Sequence, residues 1–284
     1  MGFPRWRQAP ILSFNMSSLT METSHIRTAA TDPLTAPGAG SALRAPEKLA
    51  LVIPTLDEAE NISGLLDHVR VVLDRVAIAY EILVVDDESR DGTGLVVTAI
   101  MEKDPRVRLL VRKGERGLSG AILHGWQNTD APLLGVMDAD LQHPPELLPE
   151  LIAAILEGRD IVIGSRYTAG GDLGGWNPVR KLLSSIAVWV TWPLQKARLR
   201  AKDPMSGFFL VRRRCLPRAT FQRTGFKLLL EILVRGHIQS IKEVPFAFGQ
   251  RYRGASKANF KVAWDYGRLL VRLYAGKLGM WDRG

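Results

Sequence analysis

The feature that most constrains this chain is an alternation. Short apolar runs of strand length are separated by segments of helical period, and charged clusters stand where the runs end. Leu49 to Thr55 is one such run, and Ile62, Leu65, Leu66, Val69, Val72 and Leu73 follow it at helical spacing. Ile82 to Val85 ends in Asp86-Asp87, and a helix is expected from about Thr93 to Lys103. Val107 to Val111 precedes a helix over 118–128, and Leu133 to Met137 follows. Pro144 and Pro145 open a helix carrying Leu147, Leu148, Leu151, Ile152 and Ile155, and Ile161 to Ile163 closes the series. Strands alternating with helices imply an α/β fold, a mostly parallel sheet with helices on both faces. Ligands of such sheets sit at the carboxyl ends of the strands. Asp86-Asp87, Asp138-Ala139-Asp140 and Ser165-Arg166-Tyr167 all fall there.

Beyond residue 170 the pattern changes. Residues 178–199 read as a helix bearing Trp189 and Trp192, and Phe208–Val211 and Ile238–Phe248 read as strands. A last helix presents Phe260, Ala263, Trp264, Gly267, Leu270, Val271, Tyr274, Leu278 and Trp281 on one face. Residues 1–46, rich in Ser, Thr, Ala, Pro and Gly, read as a disordered N-terminal tail. The expected division is this tail, a catalytic domain over 47–258 and a C-terminal amphipathic helix over 259–284. No run reaches the ~18–20 apolar residues of a spanning helix. The first ten residues lack the apolar core and cleavage site of a secretory signal. One cysteine, Cys215, excludes an internal disulfide and a cysteine-built metal site. A net charge of +9, from 38 Lys and Arg against 29 Asp and Glu, favours an anionic partner: nucleic acid, anionic lipid or a phosphorylated substrate.

Asp138 and Asp140 are placed to approach one hard cation from a single turn, with Gln142 as a further oxygen donor. The plainer alternative is a polar turn capping the next helix. Asp86 is a candidate acceptor for a base or ribose hydroxyl, whereas Asp91, Gly92 and Thr93 suit a turn and helix cap. Glu58 either holds a nucleoside group or supplies favourable charge to a first helical turn. The glycine-rich basic loop Arg112 to Gly120, with Lys113 and Gly117, suits phosphate, but it is not a Walker loop. Arg166, Arg180, Arg251 and Lys257 add positive charge, and an arginine fork matches phosphate oxygens. No Ser-His-Asp set is apparent, and His124 and His143 read as structural.

In order along the chain stand Val52-Ile53-Pro54-Thr55 with Glu58, Val84-Val85-Asp86-Asp87 through Asp91-Gly92-Thr93, and Met137-Asp138-Ala139-Asp140-Leu141-Gln142-His143-Pro144-Pro145. Gly164-Ser165-Arg166-Tyr167, Asp203-Pro204-Met205-Ser206-Gly207-Phe208-Phe209 and Gly254-Ala255-Ser256-Lys257 follow. This set resembles the family 2 glycosyltransferases of the polyprenyl-phosphate mannosyltransferase type, also called dolichol-phosphate mannose synthases. The resemblance runs from about Leu49 to Lys257. It implies a nucleotide-sugar-binding fold of the glycosyltransferase A type, and inverting transfer of mannose from GDP-mannose to a polyprenyl phosphate. It implies that Pro54, Glu58 and Asp86 hold the nucleoside; Lys113, Gly117 and Ala139 are also expected at the nucleotide sugar. Asp138, Asp140 and Gln142 match a Mg2+ or Mn2+ site. Arg166, Arg180 and Ser184 match positions at the acceptor phosphate, and Arg251 and Lys257 a basic loop over the diphosphate. Asp140, Arg166 and Arg180 would then be the catalytic residues. One departure is Asp57, where the family often has Asn.

The further expectation is a peripheral protein on the cytoplasmic face of a membrane, docking through Trp189, Trp192, Trp264, Tyr274 and Trp281, without nucleic acid. A membrane-anchoring partner subunit is compatible with the resemblance. The alternatives are a glucosyl- or aminosugar transferase of similar architecture, a soluble glycosyltransferase, and a non-enzymatic basic binding module.

Overall fold

The computed structural model describes residues 47–172, 178–217, 227–247 and 260–277. Its elements are β1 (Lys48–Thr55), α1 (Ala59–Leu73), β2 (Ala79–Asp86), α2 (Thr93–Met101), β3 (Val107–Val111), α3 (Leu118–Gln127) and β4 (Leu133–Val136). They continue with α4 (Leu148–Leu156), β5 (Ile161–Ser165), α5 (Pro178–Thr191), β6 (Phe209–Arg212), α6 (Leu228–Arg235), β7 (Ile241–Pro245) and α7 (Phe260–Lys277). The strands form one seven-stranded sheet in the order β3-β2-β1-β4-β6-β5-β7. Strand β6 runs antiparallel to β4 and β5, and every other pairing is parallel.

Successive strand residues enter opposite cores. Leu49, Leu51 and Ile53 of β1 pack with α1, α2 and α4, while Ala50 and Val52 pack with α3 and α6. Strand β2 repeats this, with Ile82 and Val84 on one side and Leu83 and Val85 on the other. Because both faces are covered, these strands read as unbroken apolar runs. Each fully buried Leu or Ile contributes about 1.5–3 kcal/mol to holding the sandwich together. From β1 the chain builds outward through β2 to β3, whereas β4 returns to the other side of β1. That reversal opens a crevice at the carboxyl ends of β1 and β4.

The expected strands and helices of the first half form within a few residues of their anticipated limits. Corrections concentrate beyond residue 170. The helix expected over 178–199 stops at Thr191, just before Pro193, which cannot donate to a continuing helix. The strand expected over Ile238–Phe248 is confined to Ile241–Pro245. Helix α6 was not anticipated: Leu228, Leu229, Leu230, Ile232 and Leu233 are all buried, so it lacks a polar face to reveal its period. In α7, Leu269 and Leu273 are buried with Leu194 and Leu230, and Tyr266, Leu270 and Tyr274 pack against them. The Tyr266 and Tyr274 hydroxyls donate to the carbonyls of Ala187 and Val190, tying α7 to α5. Tyr274 is therefore half-buried, whereas Trp189, Trp192 and Trp264 are exposed. Trp281 and residues 1–46 lie outside the described residues. Cys215 is buried, and burial first, then its contact with Asp160, pushes its thiol up to about 11.

Candidate active site at the carboxyl edge of the sheet

The loops after β1 and β2 are laced together by acidic side chains. The register places Thr55 opposite Asp86. The Thr55 hydroxyl donates to Asp86 Oδ1 at 2.9 Å, and the Ser89 backbone N–H donates to Oδ2 at 2.9 Å. Asp57 Oδ1 accepts the Arg90 N–H at 3.0 Å, and the Asp57 N–H reaches Ser89 Oγ at 2.8 Å. Asp91 accepts the N–H groups of Ala59 and Thr93 at 2.8 and 3.0 Å, and the buried Thr93 hydroxyl accepts the Glu58 N–H at 2.9 Å. Asp57 has φ of 55°, a left-handed conformation that Asn and Asp tolerate better than other side chains. The Asp-for-Asn departure thus meets a backbone requirement. Glu58 stands at the head of α1, where its Oε2 accepts the Asn61 amide at 2.8 Å.

The basic loop is strapped to the end of β2. Asp87 Oδ2 accepts the Gly117 N–H at 2.7 Å, and the buried Arg112 stands with Nε 3.3 Å from Asp87 Oδ1. Glu88, at φ of 60°, accepts the Gly114 N–H at 3.2 Å. Burial raises the Asp87 carboxyl above the ordinary aspartate value, while Gly117 and Arg112 pull it back. The Gly117 amide expected to face phosphate is therefore committed to Asp87, and the loop presents the exposed side chains of Lys113 and Arg116 instead.

The turn after β4 is built differently. Asp138, Asp140 and Gln142 are all partly exposed, with the Asp138 side chain 34% accessible. The Gln142 N–H donates to Asp140 Oδ1 at 3.2 Å. Leu141 is left-handed at φ of 60°, a conformation costing roughly 1–2 kcal/mol for a side chain of this kind. Its packing against the core below holds it there. His143 is buried beside Phe208 and Phe246, with Nδ1 accepting the Asp138 N–H at 3.4 Å. Burial pulls its imidazole down to about 4, so it is neutral at pH 7, as a structural histidine should be. Gly207 lies under this turn: a Cβ there would come within 2.4 Å of Asp138 Oδ2.

Across the crevice, the Arg166 guanidinium forks onto the buried Asp203, with Nε and Nη2 each 2.8 Å from a carboxylate oxygen. The Tyr167 hydroxyl meets Ser184 Oγ at 2.5 Å, so a residue flanking Arg166 touches α5. Lys227, at the head of α6, shares this field. Burial lowers its pKa, Arg166 acts in the same direction, and Asp138 and Asp203 oppose them. Among the described residues its ammonium has no hydrogen-bond or ion-pair partner.

The structure thus gathers Pro54, Glu58, Asp86, Asp138, Ala139, Asp140, Gln142, Arg166 and Ser184 along one edge of the sheet. The Arg180 side chain, Arg251 and Lys257 lie outside the described residues. Sequence reasoning assigned no role to Asp203, Gly207 or Lys227. The first two stand in a motif quoted for its resemblance. Lys227 precedes an apolar run, where a lysine carries no signal of its own.

A mostly parallel sheet covered on both faces, with an acidic turn and basic residues at its carboxyl edge, has the architecture of the glycosyltransferase A-type fold. Residues 50–224 match the model of glycosyl transferase family 2, and the chain belongs to that family. It is 43% identical over 227 residues to a dolichol-phosphate mannosyltransferase from Pyrococcus furiosus, covering 80% of this chain and 63% of that protein, less than two thirds of its length. It is 36% identical to a dolichol-phosphate mannosyltransferase from Saccharomyces cerevisiae, covering 81% of this chain and 88% of that one. Glucosyl-3-phosphoglycerate synthase from Mycobacterium tuberculosis, in complex with Mn2+, uridine diphosphate and glucosyl-3-phosphoglycerate, superposes with a TM-score of 0.58 at 20% identity. That likeness covers 89% of this chain and 88% of the other, and it carries the fold.

Proposed function

We propose that this chain transfers mannose from GDP-mannose to a polyprenyl phosphate. The observation that carries the proposal is the partly exposed pair Asp138 and Asp140 at the switch point, with Asp138 in one electrostatic field with Arg166 and Lys227. The names of the relatives from Pyrococcus furiosus and Saccharomyces cerevisiae support this acceptor and this sugar. In the reaction a phosphate oxygen of the acceptor forms a bond to the anomeric carbon. The bond from that carbon to the diphosphate oxygen breaks, and its electron pair leaves with the diphosphate. The configuration inverts. The acceptor is already ionised near pH 7, so alignment and charge neutralisation matter more than a general base. Arg166, Arg180 and Ser184 orient the acceptor phosphate. Lys227 stands in the same field as Arg166, Asp138 and Asp203. Glu58 and Asp86 hold the nucleoside, and Lys113, Arg251 and Lys257 face the phosphates.

Two carboxylates and a carboxamide suit a hard divalent cation such as Mg2+ or Mn2+. Among the described residues no group of three or more His, Cys, Asp or Glu is gathered for a metal. Asp138, Asp140 and Gln142 would therefore hold it jointly with the diphosphate and water. Such a cation supplies Lewis-acid stabilisation to the departing diphosphate.

No helix among the described residues is long and apolar enough to cross a membrane. Ile186 and Trp189 on α5, Trp192 just beyond its end, and Trp264 and Val271 on α7 are exposed, with Arg268 and Arg272 also exposed on α7. These types suit peripheral docking at the cytoplasmic face of a membrane, beside the lipid acceptor.

The test is a donor-by-acceptor assay with GDP-mannose and UDP-glucose against polyprenyl phosphate, with Mg2+, Mn2+ or chelator. A mannosylated lipid formed only from GDP-mannose is the expected result. A glucosylated lipid, or no product, overturns the proposal.

A further inference from the structure

We propose that Asp203 is a positioning residue that sets the aim of Arg166 for the transfer reaction; the inference rests on the transferase reading above. Asp203 is wholly buried. Its Oδ2 accepts both the Arg166 backbone N–H at 3.1 Å and the Nε–H at 2.8 Å, and its Oδ1 accepts the Nη2–H at 2.8 Å. One carboxylate therefore fixes the main chain and the side chain of Arg166 together. A guanidinium carries five N–H donors in a rigid plane. With one edge of the plane seated on Asp203, the donors of Nη1 and the second hydrogen of Nη2 point away from it. An arginine without such a seat has several rotamers, and its fork has no fixed direction.

Asp203 is itself braced. Glu243 on β7 accepts the N–H groups of Lys202 and Asp203 at 2.9 and 3.0 Å, one on each carboxylate oxygen. The order of support runs from Glu243 to Asp203 to Arg166. The same stretch continues to Gly207, which makes room for the Asp138 carboxylate. Residues 203–207 thus touch both charged sides of the crevice, and they hold the acceptor-side cation relative to the donor-side acid.

The test is initial-rate kinetics of Asp203→Asn in the full chain, with GDP-mannose and polyprenyl phosphate varied separately. The asparagine keeps the volume but turns an amide N–H toward the guanidinium. The KM for polyprenyl phosphate is expected to rise about tenfold while that for GDP-mannose stays within about twofold. In an Arg166→Ala background, Asp203→Asn should change kcat/KM by less than about twofold, because its effect runs through the missing side chain. Equal rises in both KM values, or full additivity in the double variant, overturn the inference. If Asp203→Asn fails to fold, Glu243→Gln decides: about a threefold rise confined to the acceptor KM supports the inference, and equal rises overturn it. A wild-type chain that transfers nothing overturns the transferase reading and this inference with it. An active wild type with the wrong pattern in the variants overturns the inference alone.

Discussion

Two stretches of the same sheet edge use aspartate in opposite ways. At the ends of β1 and β2, Asp86 and Asp87 are buried, and together with Asp57 and Asp91 they accept hydrogen bonds from the loops around them. At the end of β4, Asp138 and Asp140 are half-exposed, in a turn held from below by Leu141, His143 and Gly207. The first arrangement turns charge into loop geometry. The second presents charge to the crevice. An acid whose oxygens already accept N–H and O–H groups has little left for a metal ion, so sequence motif alone does not separate a metal-binding aspartate from a structural one.

The comparison is broken or sharpened most strongly at Asp138 and Asp140. Changing either to Asn should lower kcat by about a hundredfold or more, with the melting temperature nearly unchanged, because the group acts on the reaction and not on the fold. Loss of folding in these variants, seen in parallel circular dichroism melts, would erase the distinction between the two stretches. Gly207→Ala comes next. The added methyl displaces the Asp138 carboxylate, which is partly exposed and can yield, so kcat/KM should fall about tenfold with little change in stability.

Thr93→Val probes the other stretch. It removes the acceptor for the Glu58 N–H and the donor to Asp91, and should destabilise by about 1–3 kcal/mol in urea melts while turnover per folded molecule stays within about twofold. The smallest effect is expected at the opposite edge of the sheet, where charge is purely structural. Hydrogen bonds from the Arg106 side chain hold the Asp104 carboxyl down to about 2, against burial, from an ordinary 3.8. A depressed carboxylate stabilises the fold above its unfolded value, and that stabilisation is lost as pH falls from near 4 toward 2. Asp104→Asn should therefore lower stability at pH 7 by about 1–2 kcal/mol, and the difference should shrink as acid melts approach pH 2.

How far the sequence could be read follows the same division. Strands β1, β2, β4 and β5 were legible because burial on both faces leaves continuous apolar runs, with polar clusters following them. Asp138 and Asp140 stood out as paired acids after such a run, a pattern that Asp86 and Asp87 share, and only the fold shows that the second pair is tied into loops while the first is partly exposed. The commitments of Asp87 to Gly117 and of Asp203 to Arg166 were not, because each joins residues far apart in the chain. Helix α6 escaped because it is apolar nearly all round, and with it Lys227, whose interest comes only from the neighbours that folding supplies. In α7 the burial of Leu269 and Leu273 was not singled out by the sequence, because it depends on Leu194 and Leu230 from distant segments.

The most direct measurement is anomalous diffraction from crystals of the chain soaked with GDP and Mn2+. The account predicts one manganese peak bound by Asp138 and Asp140, adjoining the diphosphate, with none at Asp86 and Asp87. A peak at the β2 end, or a bound nucleotide with its diphosphate away from the Asp138–Gln142 turn, would contradict it.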